Sequence, residues 1–422
     1  MTLSPPNHSR NRAAWIAVGL LWVVALLNYL DRLVITSMRE PILVDIPMTE
    51  AQFGLLTSVF LWIYGLASPF CGFLADRFSR RTVIFISLLI WSAVTWMTGH
   101  MQSYTGLFWA RALMGVSEAC YLPAALALIS DHHRGSTRSL ATALHGSGMY
   151  AGGALGGLGG FIAEAYGWRL GFTLLGAIGI GYALLLILFL RDAPRAEVPV
   201  AGANGSGVRL GTALRELFSR RAFTVLLVLN ALVGVSNWAV YGWLPTYLRE
   251  HFKLGLGTAG LSATAYLQVA SFAGILVGGA LADRWSRTRP RGRMLVPAIG
   301  YAAAAPALFV LGWSDTLAIA LAGLVLFGIG RGFYDANTMP ILRTLIDERY
   351  SATGYGFLNM VGCFAGGAMT YASGALRDAK FDLSIVFQCA AGGLFVTAIL
   401  LALLKPRAVV PAPAPSPLPA AA

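Results

Sequence analysis

Six ionisable residues fall inside stretches that are otherwise apolar: Asp31 and Arg32 in LLNYLDRLVITSM, Arg111 and Glu118 in RALMGVSEACYLP, and Arg331 and Asp335 in GRGFYDANTMP. Three are basic and three acidic, so the set is balanced. Arg331 and Asp335 are four residues apart, one helical turn, and can pair on one helix face. Arg111 and Glu118 are seven apart, two turns along one face, with Gly115 thinning the wall between them. Neighbours on a helix point about 100° apart, so Asp31 and Arg32 need not satisfy each other.

These residue types divide one task between them. A guanidinium stays protonated, and its planar fork matches a carboxylate through two charge-assisted hydrogen bonds, which suits an anionic ligand. A carboxylate can gain and lose a proton: burial disfavours its charged form and a nearby guanidinium favours it, so a small rearrangement shifts the balance. The expectation is that Arg32 is held by Asp31 or Glu118 when the site is empty, and that protonation of those acids frees it for an anion. Asp31 and Glu118 are the proton-coupling candidates, and Arg32, Arg111 and Arg331 the anion-binding ones. A structural ion pair is an equally good reading of Arg331 with Asp335.

Such residues need a membrane-embedded scaffold. The chain has 422 residues, 57% of them hydrophobic and 12% charged, against roughly 25% charged in a soluble domain. A spanning helix takes about 20 apolar residues, because backbone amides in lipid must be satisfied within their own segment. Twelve stretches qualify, near 15–38, 52–75, 81–100, 104–130, 139–165, 168–190, 221–248, 258–282, 293–312, 316–342, 352–376 and 382–404. The fold class is an all-α polytopic membrane protein with twelve transmembrane helices in two pseudo-symmetric six-helix bundles. The bundles occupy 1–190 and 221–404, joined by a Pro-, Gly- and Arg-rich cytoplasmic linker at 191–220, with a disordered cytoplasmic tail at 405–422. Within the linker, GTALRELFSRR reads as a short amphipathic surface helix.

The net charge of +12 would suit nucleic acid, but the placement of the charges excludes it. With the N-terminus inside, 22 Lys and Arg lie in cytoplasmic segments and six (Arg39, Arg169, Arg249, Lys253, Arg377, Lys380) on the other side. That asymmetry places both termini in the cytoplasm. The first apolar segment runs on without a small-residue cleavage site and reads as a retained span. The four cysteines, Cys71, Cys120, Cys363 and Cys389, fall within spans without metal spacing and read as buried reduced thiols. No metal or cofactor is expected.

The halves echo each other, as an internal duplication would. GFLADRFSRR (72–81) follows the second span and GALADRWSR (279–287) the eighth; GVSEACYLP (115–123) and GFYDANTMP (332–340) share a Gly, an acid three residues on, an Ala and a final Pro. The first of these loops resembles the signature of the major facilitator superfamily, and its repeat extends the likeness over essentially the whole chain. That resemblance implies parallel repeats rocking about a central site. NYLDR and RALMGVSEACYLPAA resemble the anion:cation symporter branch, whose bacterial members import sugar acids and other organic anions with protons, and they are also similar to the Spinster branch of lysolipid and sphingolipid carriers. The symporter likeness maps its helix-one acid–Arg pair onto Asp31 and Arg32, and its helix-four pair onto Arg111 and Glu118. It also implies a monomer in the bacterial inner membrane.

Further lining follows from residue type. Tyr29 and Tyr64 are substrate-site candidates by the same likeness, since Tyr hydroxyls in a bundle interior commonly bond ligands. Asn230, Asn237, Trp238 and Tyr241 crowd one span, which suits hydroxyl-bearing ligands; Asn337 and Asn359 add to the set. His145 reads as a packing residue more readily than a proton carrier. The glycines at 148, 152, 156 and 160 permit close helix approach and lack a phosphate-loop context. Asp76, Arg77, Arg81, Asp283 and Arg284 are expected to latch the halves on the cytoplasmic face when the site opens outward.

The expected function is therefore secondary active uptake of a small organic anion with protons, most plausibly an aldonate, hexuronate or sialate. A monoanion entering a cell that is negative inside works against about 2.3 kcal/mol per 100 mV, and two protons reverse that sign. A Spinster-like amphiphile carrier is the alternative, and a non-transporting sensor has no output domain. An enzyme is excluded by the lack of a nucleophile–base constellation.

Overall fold

The structure, a computed structural model, describes residues 8–133, 137–193, 210–289, 291–347 and 350–405. The remainder of the linker and the tail at 406–422 lie outside the described residues.

The first half comprises α1 (His8–Ser37), a short α2 (Arg39–Asp45), α3 (Glu50–Arg77), α4 (Arg80–Thr98), α5 (Tyr104–Ala119), α6 (Tyr121–His132), α7 (Arg138–Leu155), α8 (Leu158–Tyr166) and α9 (Trp168–Phe189). The linker contributes α10 (Leu210–Phe218), where an amphipathic helix was expected. The second half comprises α11 (Arg221–Phe252), α12 (Leu256–Ser286), α13 (Gly292–Leu311), α14 (Leu317–Leu345), α15 (Ser351–Asp378) and α16 (Ser384–Leu403).

Ten of the described helical stretches are long and apolar enough to cross a membrane by length and composition. The other two crossings are the broken α7–α8 run and α15, whose glycines and polar residues lower its hydropathy. The fourth span also breaks, at Cys120 between α5 and α6. Pro123, three residues on, has no N–H to give the preceding turn. Pro340, its counterpart in the repeat, is instead carried inside an unbroken α14.

Two seams join the halves. In one, α3 lies along α15, and in the other α7 and α8 lie along α12. The end that carries the linker is called here the linker end, and the opposite one the distal end. At the distal end, a side chain on Gly157 would run into the backbone of Gly260, so this crossing requires glycine. Gly54 lies against Thr370, Gly374 against Glu50, and, at mid-depth, Gly65 against Cys363. Ser58 donates to the Gly367 carbonyl at 2.6 Å and the Trp62 indole to that of Phe364 at 3.1 Å, both across the α3–α15 seam.

Charges close the distal rim. Arg39 and Glu50 of the first half and Glu250 and Arg377 of the second form an alternating ring: Arg39 bonds Glu50, Arg39 reaches Glu250 at 3.5 Å, Arg377 holds Glu250 at 2.8 Å and Glu50 at 3.4 Å. The two guanidiniums flank the buried ring of Trp243 at 6.0 and 5.8 Å. Arg249 pairs with Glu40 across the same rim. Asp378 accepts from the backbone N–H groups of Glu50 and Ala51, each at 2.9 Å, so an acid of the second half caps the first turn of α3.

Toward the linker end the seams part. Gly153 abuts Gln268 and Tyr150 packs on Phe272, and continuing this antiparallel register places Leu144 opposite Leu276. Both are exposed, at 44% and 59%.

Candidate functional site

Between the halves lies a cavity of about 230 Å³ whose wall includes Arg32, Tyr29 and Tyr64 from the first half and Asn237, Tyr241, Arg331, Asp335 and Asn359 from the second. Asn230, Trp238, Tyr334 and Tyr355 complete much of the polar and aromatic surface.

Arg32 is organised from the sequence upward. It lies in α1, one turn after Asn28, and its Nη2 donates to Glu118 Oε2 of α5 at 2.8 Å and to Asn28 Oδ1 at 3.3 Å. Its guanidinium lies over three rings, Tyr29 at 4.9 Å, Phe60 at 5.0 Å and Tyr64 at 4.7 Å, so cation–π attraction holds the head where the cavity begins. Nε of Arg32 is buried without a hydrogen-bond partner, an unused donor beside the cavity.

Of the two acids expected to hold Arg32, Glu118 alone does so. Asp31, 100° round the helix, turns to α4 and accepts from Thr95 Oγ1 at 3.4 Å; it is buried and off the cavity wall. Arg111 is also off the wall. It is packed behind Phe60 at 4.7 Å, with Nε on the Leu56 carbonyl at 3.4 Å and Nη1 on the Met114 sulfur at 3.1 Å. Seven residues separate Arg111 from Glu118, but the nearer cation to that carboxylate comes from another helix. In this state the structure brings neither Arg111 nor Asp31 to the ligand space.

The second half repeats the motif with different partners. Arg331 Nε lies 3.4 Å from Asp335 Oδ2, the pairing that four-residue spacing allows. Arg331 also bonds the Tyr241 hydroxyl, and Gln268 of α12 offers its Oε1 to Arg331 at 3.4 Å and donates through Nε2 to Tyr241 at 3.1 Å. Asp335 accepts from Tyr150 of α7 at 3.0 Å, a direct link between the halves at cavity depth. Gln268 and Tyr150 were not singled out from the sequence; a lone amide inside the apolar run SATAYLQVASF was the available signal.

Asn337 turns away, donating to the Phe333 carbonyl at 2.9 Å and to that of Gly278 at 3.4 Å, so it ties α14 to α12. Asn237 stays at the cavity with its Oδ1 unpartnered. His145 is fully buried against Tyr121, 2.8 Å from its hydroxyl, inside the first half. Cys71 and Cys363 are buried, whereas Cys120 is half-buried and Cys389 is exposed on α16, where the outer face of a spanning helix meets lipid.

Among the described residues, none of the expected latch side chains is joined across the halves here. Asp283 pairs with Arg293 of its own half at 2.6 Å, and the Arg81 backbone N–H donates to Asp192 at 3.0 Å. Arg77 and Arg284 are exposed, and the Asp76 side chain lies outside the described residues.

Comparison with known proteins places this geometry. The family model described as Major Facilitator Superfamily matches residues 21–370. A protein named as a probable sulfoacetate transporter of Cupriavidus necator is 26% identical, over 96% of each chain. A hexuronate transporter of Bacillus subtilis is 23% identical over 93% of this chain and 95% of its own. Among solved structures, a bacterial homolog of the human lysosomal transporter Spinster, in an inward-facing and unoccupied conformation, superposes with a TM-score of 0.76, covering 95% of this chain and 96% of that one, at 22% identity.

Proposed function

The chain belongs to the Major Facilitator Superfamily, and is thus an integral membrane transporter and not an enzyme; from that premise we propose that it imports a small organic anion together with protons. The observation that carries the reading is the 2.8 Å bond between Arg32 and Glu118 at the cavity wall. Substrate anion and Glu118 compete for one guanidinium. Protonating Glu118 releases Arg32 to the anion, and losing the anion returns Arg32 to Glu118. Asp31, buried behind the pair, is the second proton site. With the linker side cytoplasmic, as the charge asymmetry favours, the distal rim is the outer gate and this state is inward-facing. Arg77, Arg81, Asp283 and Arg284, with Asp76, then form the opposite latch when the site opens outward. A monomer in the bacterial inner membrane completes the reading.

Sugar acids are the favoured cargo. The cavity offers amides and hydroxyls (Asn230, Asn237, Asn359, Tyr241) around its charges, which suit polyhydroxy acids. Its volume of about 230 Å³ lies below the roughly 300–1,000 Å³ of sites for drug-sized ligands, which disfavours a long-chain amphiphile. The relatives named for sulfoacetate and hexuronate handle small organic acids, in keeping with this.

The test is uptake in proteoliposomes under an imposed pH gradient, across hexuronates, aldonates, aldarates, sulfoacetate and a lysolipid. Gradient-driven accumulation of an acid, lost in Glu118→Gln and in Asp31→Asn, is expected. Normal accumulation by both variants would overturn the coupling scheme, and lysolipid transport would overturn the substrate class.

A further inference from the structure

The cavity wall carries two guanidiniums, one from each half, Arg32 of α1 and Arg331 of α14. Each is engaged by an acid of its own half, Glu118 at 2.8 Å and Asp335 at 3.4 Å, so the empty site is electrically balanced on both sides. One anionic group needs only one of these cations. A second built site of the same design, with the fork of Arg331 steadied by Tyr241 and Gln268, has no task in the exchange described for Arg32.

Resting on the organic-anion reading above, we propose that the ligand is two-headed: a dianion with an acidic group at each end, one bound by Arg32 and the other by Arg331, its middle lying against Asn237 and Asn359. A ligand shifts a conformational equilibrium only by its differential affinity for the two states. An anion seated on Arg32 alone touches chiefly one half and has little preference between open and closed arrangements. An anion that spans Arg32 and Arg331 fastens the halves to each other, and its second bond is available only when both are close. The unpartnered Oδ1 of Asn237 supplies an acceptor between the two cations, matched to a hydroxyl on the connecting chain. When Arg331 is taken by the ligand, Asp335 keeps its bond from Tyr150 of the opposite half, so the displaced acid is not left without a partner.

The experiment compares matched acids that differ by one acidic group: acetate against malonate, and gluconate against glucarate. Binding is read on the purified full-length protein by thermal stabilisation, and transport by uptake in proteoliposomes. A bidentate charge-assisted pair is worth roughly a tenfold or greater change in affinity, so one dianion at least should bind about tenfold or more tightly than its monoanion partner. In the charge-neutral double variant Arg331→Gln with Asp335→Asn, that ratio should fall to about one. Arg32→Gln should weaken both members of the pair. Equal affinity of mono- and dianions in the wild type, or an unchanged ratio in the double variant, overturns the two-headed ligand; if binding still depends on Arg32, the organic-anion reading stands alone. No response to any of the four acids overturns both.

Discussion

Arg377 of the second half grips Glu250 of its own half at 2.8 Å and reaches across the rim to Glu50 of the first at 3.4 Å. The same guanidinium lies 5.8 Å from the ring of Trp243, which Arg39 also approaches, at 6.0 Å. One side chain therefore joins ion pairing and aromatic packing at the point where the distal end is sealed.

Arg377→Gln should loosen that seal. A half-buried pair with charged partners contributes about 1.5–3 kcal/mol, enough to shift a two-state population roughly ten- to a hundredfold. Distances between spin labels at Thr49 and Lys380 should lengthen in the variant and stay short in the wild type without ligand.

Through Asp378, acid should act on the same rim only below the ordinary aspartate range. Burial at Asp378 pushes its carboxyl upward, but the N–H groups of Ala51 and Glu50, with the Thr49 side chain and the Arg377 charge, together outweigh this and hold it below the usual aspartate range. A depressed value stabilises the closed rim above the carboxylate's unpaired value, and that contribution is lost only as pH falls through the lowered one. Label distances at the rim should therefore be constant from about pH 5 to 8 and lengthen only below the ordinary aspartate range. Asp378→Asn should reduce the acid-dependent change.

Glu118→Gln should separate binding from coupling. The buried partner of Arg32 loses its charge, and breaking one side of a buried ion pair costs about 3–5 kcal/mol of stability. The unliganded variant should melt at lower temperature, bind anion with an affinity that varies little with pH, and exchange substrate across the membrane without concentrating it.

Leu144→Cys with Leu276→Cys, in a background without native cysteines, should report the opposite state. Extending the Gly153–Gln268 and Tyr150–Phe272 register of α7 on α12 sets the two positions opposite each other, and both are exposed here. Disulfide formation should be slow without ligand and accelerate under conditions that open the distal end, when the linker end closes. Once formed, the bond should arrest transport.

Gly157→Val tests the crossing of α8 and α12. The added side chain meets the Gly260 backbone, and overpacking of this kind costs typically about 1–3 kcal/mol. The cost falls on the arrangement with the distal end sealed, so the variant should favour the open distal rim in the same label measurement.

Hydropathy alone made the helical plan legible, because the need to satisfy every backbone amide in lipid leaves few alternatives. Short-range geometry was legible too: Arg331 and Asp335 pair as spacing of four allows. What depends on packing between distant helices was not. Arg111 shares a face with Glu118, yet it is the long Arg32 side chain, reaching across from α1, that meets that carboxylate. Gln268 and Tyr150 join Arg331 and Asp335 only through contacts more than 60 and 180 residues apart in the chain. The distal ring was invisible for the same reason: Arg39 and Arg377 read only as basic residues on the far side, and Glu50 and Glu250 had no reading until the bundle closes all four into a circuit.

The α3–α15 seam also behaves as a lever. From Glu50 to Gly65 the two helices touch over about 22 Å, and the remaining about 18 Å of α3 runs on within the first half, where Cys71 is buried in its core. Small residues at Gly54 and Gly374 bring backbone against backbone, while Phe53 and Leu56 of the same arm are buried in an apolar cluster shared with Trp243 of the second half. The arm is consequently held along its length, by apolar contact and the Ser58 and Trp62 hydrogen bonds as well as by the charges at its tip. Turnover speed should then depend on how the whole seam parts, the rim ion pairs being one step of it and the length of helix that separates another.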